Sequence, residues 1–593
     1  MPLMGSLYVG TSGVQTRQNS LNTTAQNLSN MGTTGFVRQQ VLHGDRLYNK
    51  IKNGSLHTSS QQVGLGVTYA KVRQVRDFFL DQSYRRENGR SAFYATSFEA
   101  LSEVEDLLDE MNDDASFNQS LVNLWKSIEE LAKTPDDTVV QRLLVQNANS
   151  FLTNAKQVYQ GLADYQTEIN AHIKENVDRI NELGHKISDL NDKIRSIEVG
   201  GIESANDFKD ARNQCLDELS SMVNISYSED IFGSVRVKVE GVDFVTSDAV
   251  YEMGMDVDAS TGFYTPFWRI NAQVKYNEDG VEYLDISNAK VFDTTALISS
   301  DRYTDIGKLR AMLYIRGDKF ADYTDLPVKP PVPDVTDAVK YPGGASNPQY
   351  IADVEEYNRQ MDKYDKNVDY YNHTVAQSVC MNIEAEFDQL IHNVTTAING
   401  VLYEAFVKSG GTYMTDDNGA PLELFQRVQC DGYKFNGGTW EPVKEITDDD
   451  YYSDTLYSIP NLQINPVLIR EAGKLKFRLK DGNVDYETAA KLVEAFDADI
   501  YSLNPNVTTT CSINTYYTNL VSQVANSGAV YKNISLSQQA TVDSINYSRE
   551  QVQGVSSDEE LTQMIKFQNA FNAASRYINV VDDMLEHILT ALG

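Results

Sequence analysis

Apolar residues recur every seven positions at both ends of this chain, and no other feature of the sequence restricts its fold as tightly. At the C-terminal end the series is Met564, Phe571, Ile578, Leu585 and Leu592. Phe567, Ala574, Val581 and Ile588 lie three residues after the first four of these. This is an a/d seam held over four heptads, with no Gly or Pro between Leu561 and Leu592 to break it. Ser556 and Glu559 stand in front of it at capping-box spacing, and Asp558, Glu559 and Glu560 suit a helix N-terminus. At the N-terminal end Leu7, Val14, Leu21 and Leu28 keep the same period, Ala25 follows Leu21 by four, and the helix is expected to stop near Asn30-Met31-Gly32. Burying one large apolar side chain contributes about 1.5–3 kcal/mol, whereas ordering each residue's backbone costs about 1–2 kcal/mol. A lone helix with one apolar face is therefore marginal in water and needs a partner surface. Either both end helices pack into their own subunit's core, or they mate with each other and with neighbouring copies. Their place at free chain ends favours the second reading.

Between the ends the period changes. Thr134-Pro135-Asp136-Asp137 reads as a helix start, with Thr134 as N-cap and proline at N1. Ile173, Ile180, Ile187 and Ile194, with Ile169, Leu183, Leu190 and Ile197, give a coiled-coil-like helix over 135–199 that ends at Gly200-Gly201. From about 225 the alternation of Val235, Val237 and Val239 signals strands, and Glu240-Gly241 and Asp279-Gly280 signal turns. Six of the fourteen prolines fall between Pro327 and Pro348, which reads as a linker or irregular loop. The expected class is multidomain α+β: a long antiparallel helical bundle built from both chain ends, with inserted mainly β outer domain(s). Its parts are a helix and β-turn segment (1–75), a helical shaft (76–225), a β-rich outer domain (226–320), a Pro-rich linker and returning helix (321–405), a small mixed/β outer domain (406–512), a second shaft segment (513–555) and the terminal helix (556–593).

Composition and motifs exclude most chemistry. A net charge of −33 is repelled by phosphate backbones, so no nucleic-acid partner is expected. The four cysteines lie far apart without C-x-x-C spacing, which argues against a disulfide framework or a zinc site. No run of eighteen apolar residues points to a membrane, and the N-terminus lacks the basic and apolar regions of a Sec-type signal. No histidine is followed by Glu, G-x-S-x-G is absent, and Gly307-Lys308 and Gly473-Lys474 lack the Ser/Thr of a P-loop. Gly64-x-Gly66 and Asp416-Asp417-Asn418-Gly419 read as turns, and Asp448-Asp449-Asp450 as a solvated acidic loop. The residues point to no catalytic group, metal or cofactor, and the expected protein is not an enzyme.

Two segments carry a resemblance. Gln26-Asn27-Leu28-Ser29-Asn30-Met31-Gly32-Thr33-Thr34-Gly35-Phe36-Val37-Arg38 resembles the signature N-N-I-A-N-x-x-T-x-G-[FY]-x-[RK] of the bacterial flagellar rod, hook and hook-associated axial proteins, with Gln26 in place of its first Asn. Gly554-Val555-Ser556-Ser557-Asp558-Glu559-Glu560 through Phe567-Gln568-Asn569-Ala570-Phe571 resembles the same family's C-terminal box. The matched positions are Asn27, Asn30, Thr33, Gly35, Phe36, Arg38, Asp558, Glu559 and Gln568. Phe208–Leu219 and Leu456–Pro466 are similar to segments of the hook-associated members at the hook–filament junction, whereas Thr34 stands closer to the hook protein. The resemblance implies a ring of copies between hook and filament. Terminal helices would form the inner tube and β domains would face outward. The implied partners are the hook protein, a second hook-associated junction protein and a flagellar export chaperone. Export would run through the flagellar type III apparatus without a cleaved signal, to an extracellular place on the flagellum. A hook- or rod-type axial subunit is the alternative, and a secreted enzyme on a flagellar scaffold a remote one.

Overall fold

The computed structural model describes residues 2–46, 48–52, 60–108, 116–201, 203–276, 282–337, 340–342, 344–446 and 454–592. Helix α1 (Pro2–Ser29) leads into two antiparallel ribbons, β1 (Gln39–Asp45) with β4 (Val67–Gln74) and β2 (Asn49–Lys52) with β3 (Ser60–Val63). Four helices follow: α2 (Phe78–Leu108), α3 (Phe117–Lys133), α4 (Thr138–Glu198) and α5 (Asn206–Met222). The inserted strands form a three-stranded sheet, β5 (Ile225–Glu229), β6 (Val235–Val239) and β7 (Val242–Val245), then the pairs β8 (Met253–Val257) with β9 (Tyr264–Trp268) and β10 (Gln273–Tyr276) with β11 (Glu282–Asp285). Helices α6 (Lys308–Arg316), α7 (Pro348–Tyr370) and α8 (Val379–Lys408) come next. A mixed segment holds β12 (Phe425–Arg427) paired with β15 (Leu462–Ile464), β13 (Tyr433–Asn436) paired with β14 (Thr439–Pro442), and helices α9 (Pro466–Arg470) and α10 (Tyr486–Asp497). The chain closes with α11 (Ile513–Gln553) and α12 (Ser557–Leu592). This is a multidomain α+β fold in which both ends return to one helical shaft.

The shaft is antiparallel. Tyr517 of α11 donates to the Leu108 carbonyl at 2.5 Å, while Arg549 near its far end pairs with Asp81 at 2.7 Å, so α11 runs back along the whole of α2. The helix over 138–198 starts later than its sequence suggests. Thr134 closes α3, its N–H bonded to the Glu130 carbonyl, and Asp137 is the N-cap of α4, accepting from Val139 N–H at 2.8 Å. Two cap-competent residues stand within four positions, and the one nearer the helix wins.

Two large cores, with a small third cluster around Tyr371 and Met381, hold the described residues together. In the first, Phe117, Phe151, Phe387 and Phe425 interlock. Residues 406–512 do not close a core of their own: Leu422, Phe477 and Phe496 join Leu121 and Leu390 in this same cluster. In the second, Ile173, Ile180 and Ile187 of α4 are fully covered, as is Ile194 beyond that cluster. They pack against α5, α6 and strands β6–β9 rather than along another long helix, so this stretch of α4 is a spine for sheets and not a coiled coil.

Asparagines fasten those strands to the spine. Asn191 donates to the Val235 carbonyl at 2.8 Å and accepts from the Val235 N–H at 3.0 Å. Asn181 does the same to Met253, and Asn170 holds the Gly262 carbonyl and the Tyr264 N–H. A side-chain amide presents one donor and one acceptor, as a neighbouring strand would. Asn191 also takes Arg212 at 3.0 Å. Asn191→Ala is expected to cost about 2–4 kcal/mol, because it strands buried backbone groups and a buried guanidinium. Amide exchange at Val235, faster by at least about tenfold, checks it.

Asp279-Gly280, Asp448-Asp449-Asp450 and Gly343 lie outside the described residues. No described helix is long and apolar enough to cross a membrane.

Candidate functional site

The two apolar end helices lie side by side, antiparallel. Gly10 faces Ile578, Gly13 faces Ala574 and Arg17 lies 5.9 Å from the Phe567 ring centroid. A Cβ on Gly10 would stand 2.6 Å from Ile578 Cγ1, so glycine lets the backbones approach. Along the shared face Leu7, Val14, Leu21, Leu28, Met564, Phe567, Phe571, Ile578 and Leu585 are half-buried, Val581 is buried and Ile588 is exposed. The side chain of Leu592 lies outside the described residues.

Among the described side chains, the fully buried face of α1 carries no large apolar residue. It is Ser12, Thr16, Ser20, Thr24 and Asn27. The hydroxyls of Ser12, Thr16 and Ser20 donate back to carbonyls one turn earlier, at 2.8–2.9 Å. Their polarity is thereby absorbed within the helix, leaving a narrow smooth surface. Ser12 also accepts from the Val67 N–H of β4 at 3.3 Å. This row was legible as small residues four apart, but a search for large apolar residues passes over it.

At its end the row becomes a latch. Asn27 donates to the Gln39 carbonyl at 2.9 Å and to Glu560 at 3.1 Å, and accepts from the Gln39 N–H at 3.0 Å. Arg38 reaches Glu560 through Nε and Glu559 through Nη1, both at 2.8 Å. The Arg38 N–H donates to the Gln553 carbonyl at 2.9 Å. Glu560, outside the candidate set, is thus the buried centre to which residues from the opposite chain end converge. Thr33 donates to Asn30 at 3.2 Å and helps close the turn after α1. Gly35 has φ +80° and lies against Gln214, whose amide donates to the Thr34 carbonyl at 2.8 Å, so a side chain fits there neither conformationally nor sterically. Phe36 is half-buried, while Asp558 and Gln568 are exposed and stand outside the latch.

A second joint ties this unit to the shaft. Asp210 of α5 accepts from the Val37 N–H at 3.3 Å and from Gln74 at 2.6 Å, and burial pushes its carboxyl up to about 7 against those bonds. Deeper in, Arg549 bridges Asp81 at 2.7 Å and Asp217 at 2.6 Å, with Arg76 and Arg85 as their other partners. Among the described residues no group of three His, Cys, Asp or Glu could hold a metal ion. The arrangement joins two chain ends; it does not assemble reacting groups.

Three family models match along the chain: the flagellar hook-associated protein FlgK helical domain over 101–287, the flagella basal body rod protein over 7–36, and the flagellar basal body rod FlgEFG protein C-terminal over 551–591. Flagellar hook-associated protein 1 of Bacillus subtilis (strain 168) is 23% identical over 97% of this chain and 96% of its own length. The proteins of that name from Salmonella typhimurium and Escherichia coli (strain K12) are each 22% identical over 98% of both chains. The chain is similar to flagellar hook-associated protein 1 along nearly its whole length. A flagellar hook junction protein FlgK from Burkholderia pseudomallei matches with a TM-score of 0.49 and 10% identity, over 80% of this chain and 100% of that one. That likeness supports a structural, hook-associated role in the flagellum and not an enzymatic one. The latch residues Asn27, Glu559 and Glu560 fall inside the two terminal matches, and Arg38 lies two residues past the first.

Proposed function

We propose that this protein is the adaptor subunit of the hook–filament junction, forming a ring by self-assembly through α1 and α12. The observation that carries the reading is the apolar surface that helix pair leaves exposed. Met4, Tyr8, Leu561, Ile565, Tyr577, Val580, Met584 and Leu589 remain exposed after the two helices have packed, Ile565 at 60% and Leu589 at 71%. Each such side chain contributes about 1.5–3 kcal/mol when a neighbour covers it. Hook protein on one side and a second hook-associated junction protein on the other are the partners. The exposed stripe on α12 is what an export chaperone would cover before assembly. Passage through the flagellar type III apparatus without a cleaved signal, to an extracellular position, completes the reading. Asn27, Asn30, Thr33, Gly35, Phe36 and Arg38 shape and hold the helix pair, as does Glu559, rather than touching neighbours.

The test is Val580→Glu with Met584→Glu in the full chain, neither of which lies on the α1 side. Binding to isolated hooks should be abolished while the far-ultraviolet circular dichroism stays unchanged. Undiminished attachment, by this variant or by a chain lacking its last thirty residues, would end the proposal. The rod-protein matches at both termini favour a second reading, a hook- or rod-type axial subunit. Deleting the gene separates them: a junction adaptor leaves hooks without filaments, a hook subunit leaves no hooks.

A further inference from the structure

A cavity of about 330 Å³ opens in the mixed segment, between the turn at 416–420, strand β12, the β13–β14 ribbon and the start of α9. That volume falls in the range of small-molecule pockets, about 300–1,000 Å³. Its walls are braced from within the chain. Asp416 accepts from the Asn418 and Ala420 N–H groups at 2.8 and 2.7 Å and so fixes the turn. Asn465 donates to the Glu423 carbonyl at 2.9 Å and accepts from the Val467 N–H at 3.0 Å, which ties the start of α9 to the chain before β12. Tyr433 of β13 is stacked on Tyr403 of α8, with ring centroids 5.2 Å apart.

The charges that reach this cavity are all of one sign. Asp416, Glu423 and Asp431 line it, and no Lys, Arg or His does. Glu423 is its buried member, only 4% exposed, while Asp431 is exposed at the mouth. Tyr457 donates to one Glu423 oxygen at 2.5 Å, and among the described residues none donates to the other, Oε2. A Cβ on Gly432 would stand 2.3 Å from that oxygen, so glycine leaves this face of the carboxylate to the cavity. Arg427 offsets part of the charge, but it is fully buried outside the lining, 4.3 Å from the Tyr457 ring centroid and donating to the Thr455 carbonyl at 2.7 Å. Burial raises the Glu423 carboxyl above its ordinary value although Tyr457 and Arg427 pull the other way. The chain itself therefore undercompensates this carboxylate. A metal ion does not fit, since among the described residues no group of three His, Cys, Asp or Glu could hold one. Between floor and mouth the walls are largely apolar, with Pro421, Val467, Tyr433 and Trp440. A cation on an aliphatic stem matches both parts: the stem leaves water against prolines and rings, and the charge meets the open carboxylate.

We propose that this cavity binds a primary ammonium group on an aliphatic stem, with Glu423 Oε2 as its acceptor and Asp416 and Asp431 drawing the charge to the mouth. A short free diamine and a lysine side chain share that chemistry. The site is separate from the terminal helices and does not rest on the junction reading.

Saturation-transfer NMR on the full chain at low salt tests it with 1,5-diaminopentane, which should bind in the millimolar range. The diol of the same stem, 1,5-pentanediol, should not bind measurably. Asp431→Asn changes an exposed side chain and should weaken the diamine at least about threefold. Glu423→Gln should weaken it at least about tenfold, because an amide keeps an acceptor for Tyr457 but turns a donor toward the ammonium. Should Glu423→Gln alter the circular dichroism, Asp431→Asn decides. Asp248→Asn, which removes one exposed charge elsewhere, is the control. Nα-acetyl-lysine N-methylamide separates the two sources: binding at least as tight as the diamine's assigns the site to lysine side chains, and weaker binding assigns it to free amines. No binding of either amine overturns the proposal, as does equal binding of the diol. Diamine binding that Asp431→Asn weakens no more than Asp248→Asn does also overturns it, since that is general attraction to a chain of net charge −33.

Discussion

Arg549→Met is expected to cost about 3 kcal/mol and to loosen the C-terminal end of α11 from α2. Methionine keeps the stem that crosses the Tyr84 ring, now 4.5 Å from the guanidinium carbon, and removes only the charge. What remains is a pair of largely covered carboxylates, Asp81 and Asp217, each left with one arginine instead of two. Removing one member of a buried ionic group typically costs 3–5 kcal/mol, and the arginines that stay behind place this case near the lower bound. Acid supplies an independent readout. Burial draws the Asp81 carboxyl upward, but Arg76, Arg549 and Arg85 together hold it below its ordinary 3.8. A depressed carboxyl contributes stability that is present above its unfolded value and is lost as pH falls through its folded one. The difference between Arg549→Met and the parent should therefore be full at pH 6 and shrink below about pH 3.8. Amide exchange of residues 540–553 is the appropriate measurement, because a chain with several cores need not unfold in one step. Equal protection at pH 6 would mean that packing of α2 on α11, not this charge cluster, fixes the chain ends together.

Local signals in the sequence carried the elements further than they carried the contacts. The terminal heptads, the long helix and the change of period near 225 rest on spacing within one element, and spacing survives folding. The buried centre of the latch does not announce itself that way. Glu560 reads as one of three acids suited to a helix start, and only the folded chain sets it apart by bringing Asn27 and Arg38 to it from more than 500 residues away. The strand-holding asparagines are hidden for the same reason: Asn191 and Val235 are 44 positions apart, and a polar residue on a long helix reads as solvent-facing. The small hydroxyl row of α1 is different: it is periodic and local, and a scale that rewards only large aliphatic residues undervalues it. Residues 406–512 read as a separate domain because turns dominate them, yet Phe425 and Phe496 belong to the core of the shaft, and burial partners are not encoded in composition.

Glu384→Gln is expected to stabilise the protein increasingly as pH rises, by about 2–4 kcal/mol more at pH 9 than at pH 5. Glu384 is fully buried on α8, and burial pushes its carboxyl up to about 8, with the Ala321 N–H pulling the other way at 3.0 Å. The geometry favours a proton. One oxygen accepts from Ala321 and the other has no hydrogen-bond partner, so a buried charge there is poorly compensated. Protonation of Glu384 removes that charge. A group whose folded value is raised stabilises fully below its unfolded value, near 4.5, and that stability is lost as pH climbs through about 8. Glutamine keeps an acceptor for Ala321 and does not ionise, so the variant carries no such loss. Asp388, also pushed up to about 8 by burial, adds a slope of the same sign to both proteins. Urea unfolding of the two proteins at pH 5, 7 and 9 measures that difference. A gap independent of pH would mean that Glu384 is already ionised in the folded protein at pH 5, and that a hydrogen bond the packing allows, but the geometry does not display, satisfies its second oxygen.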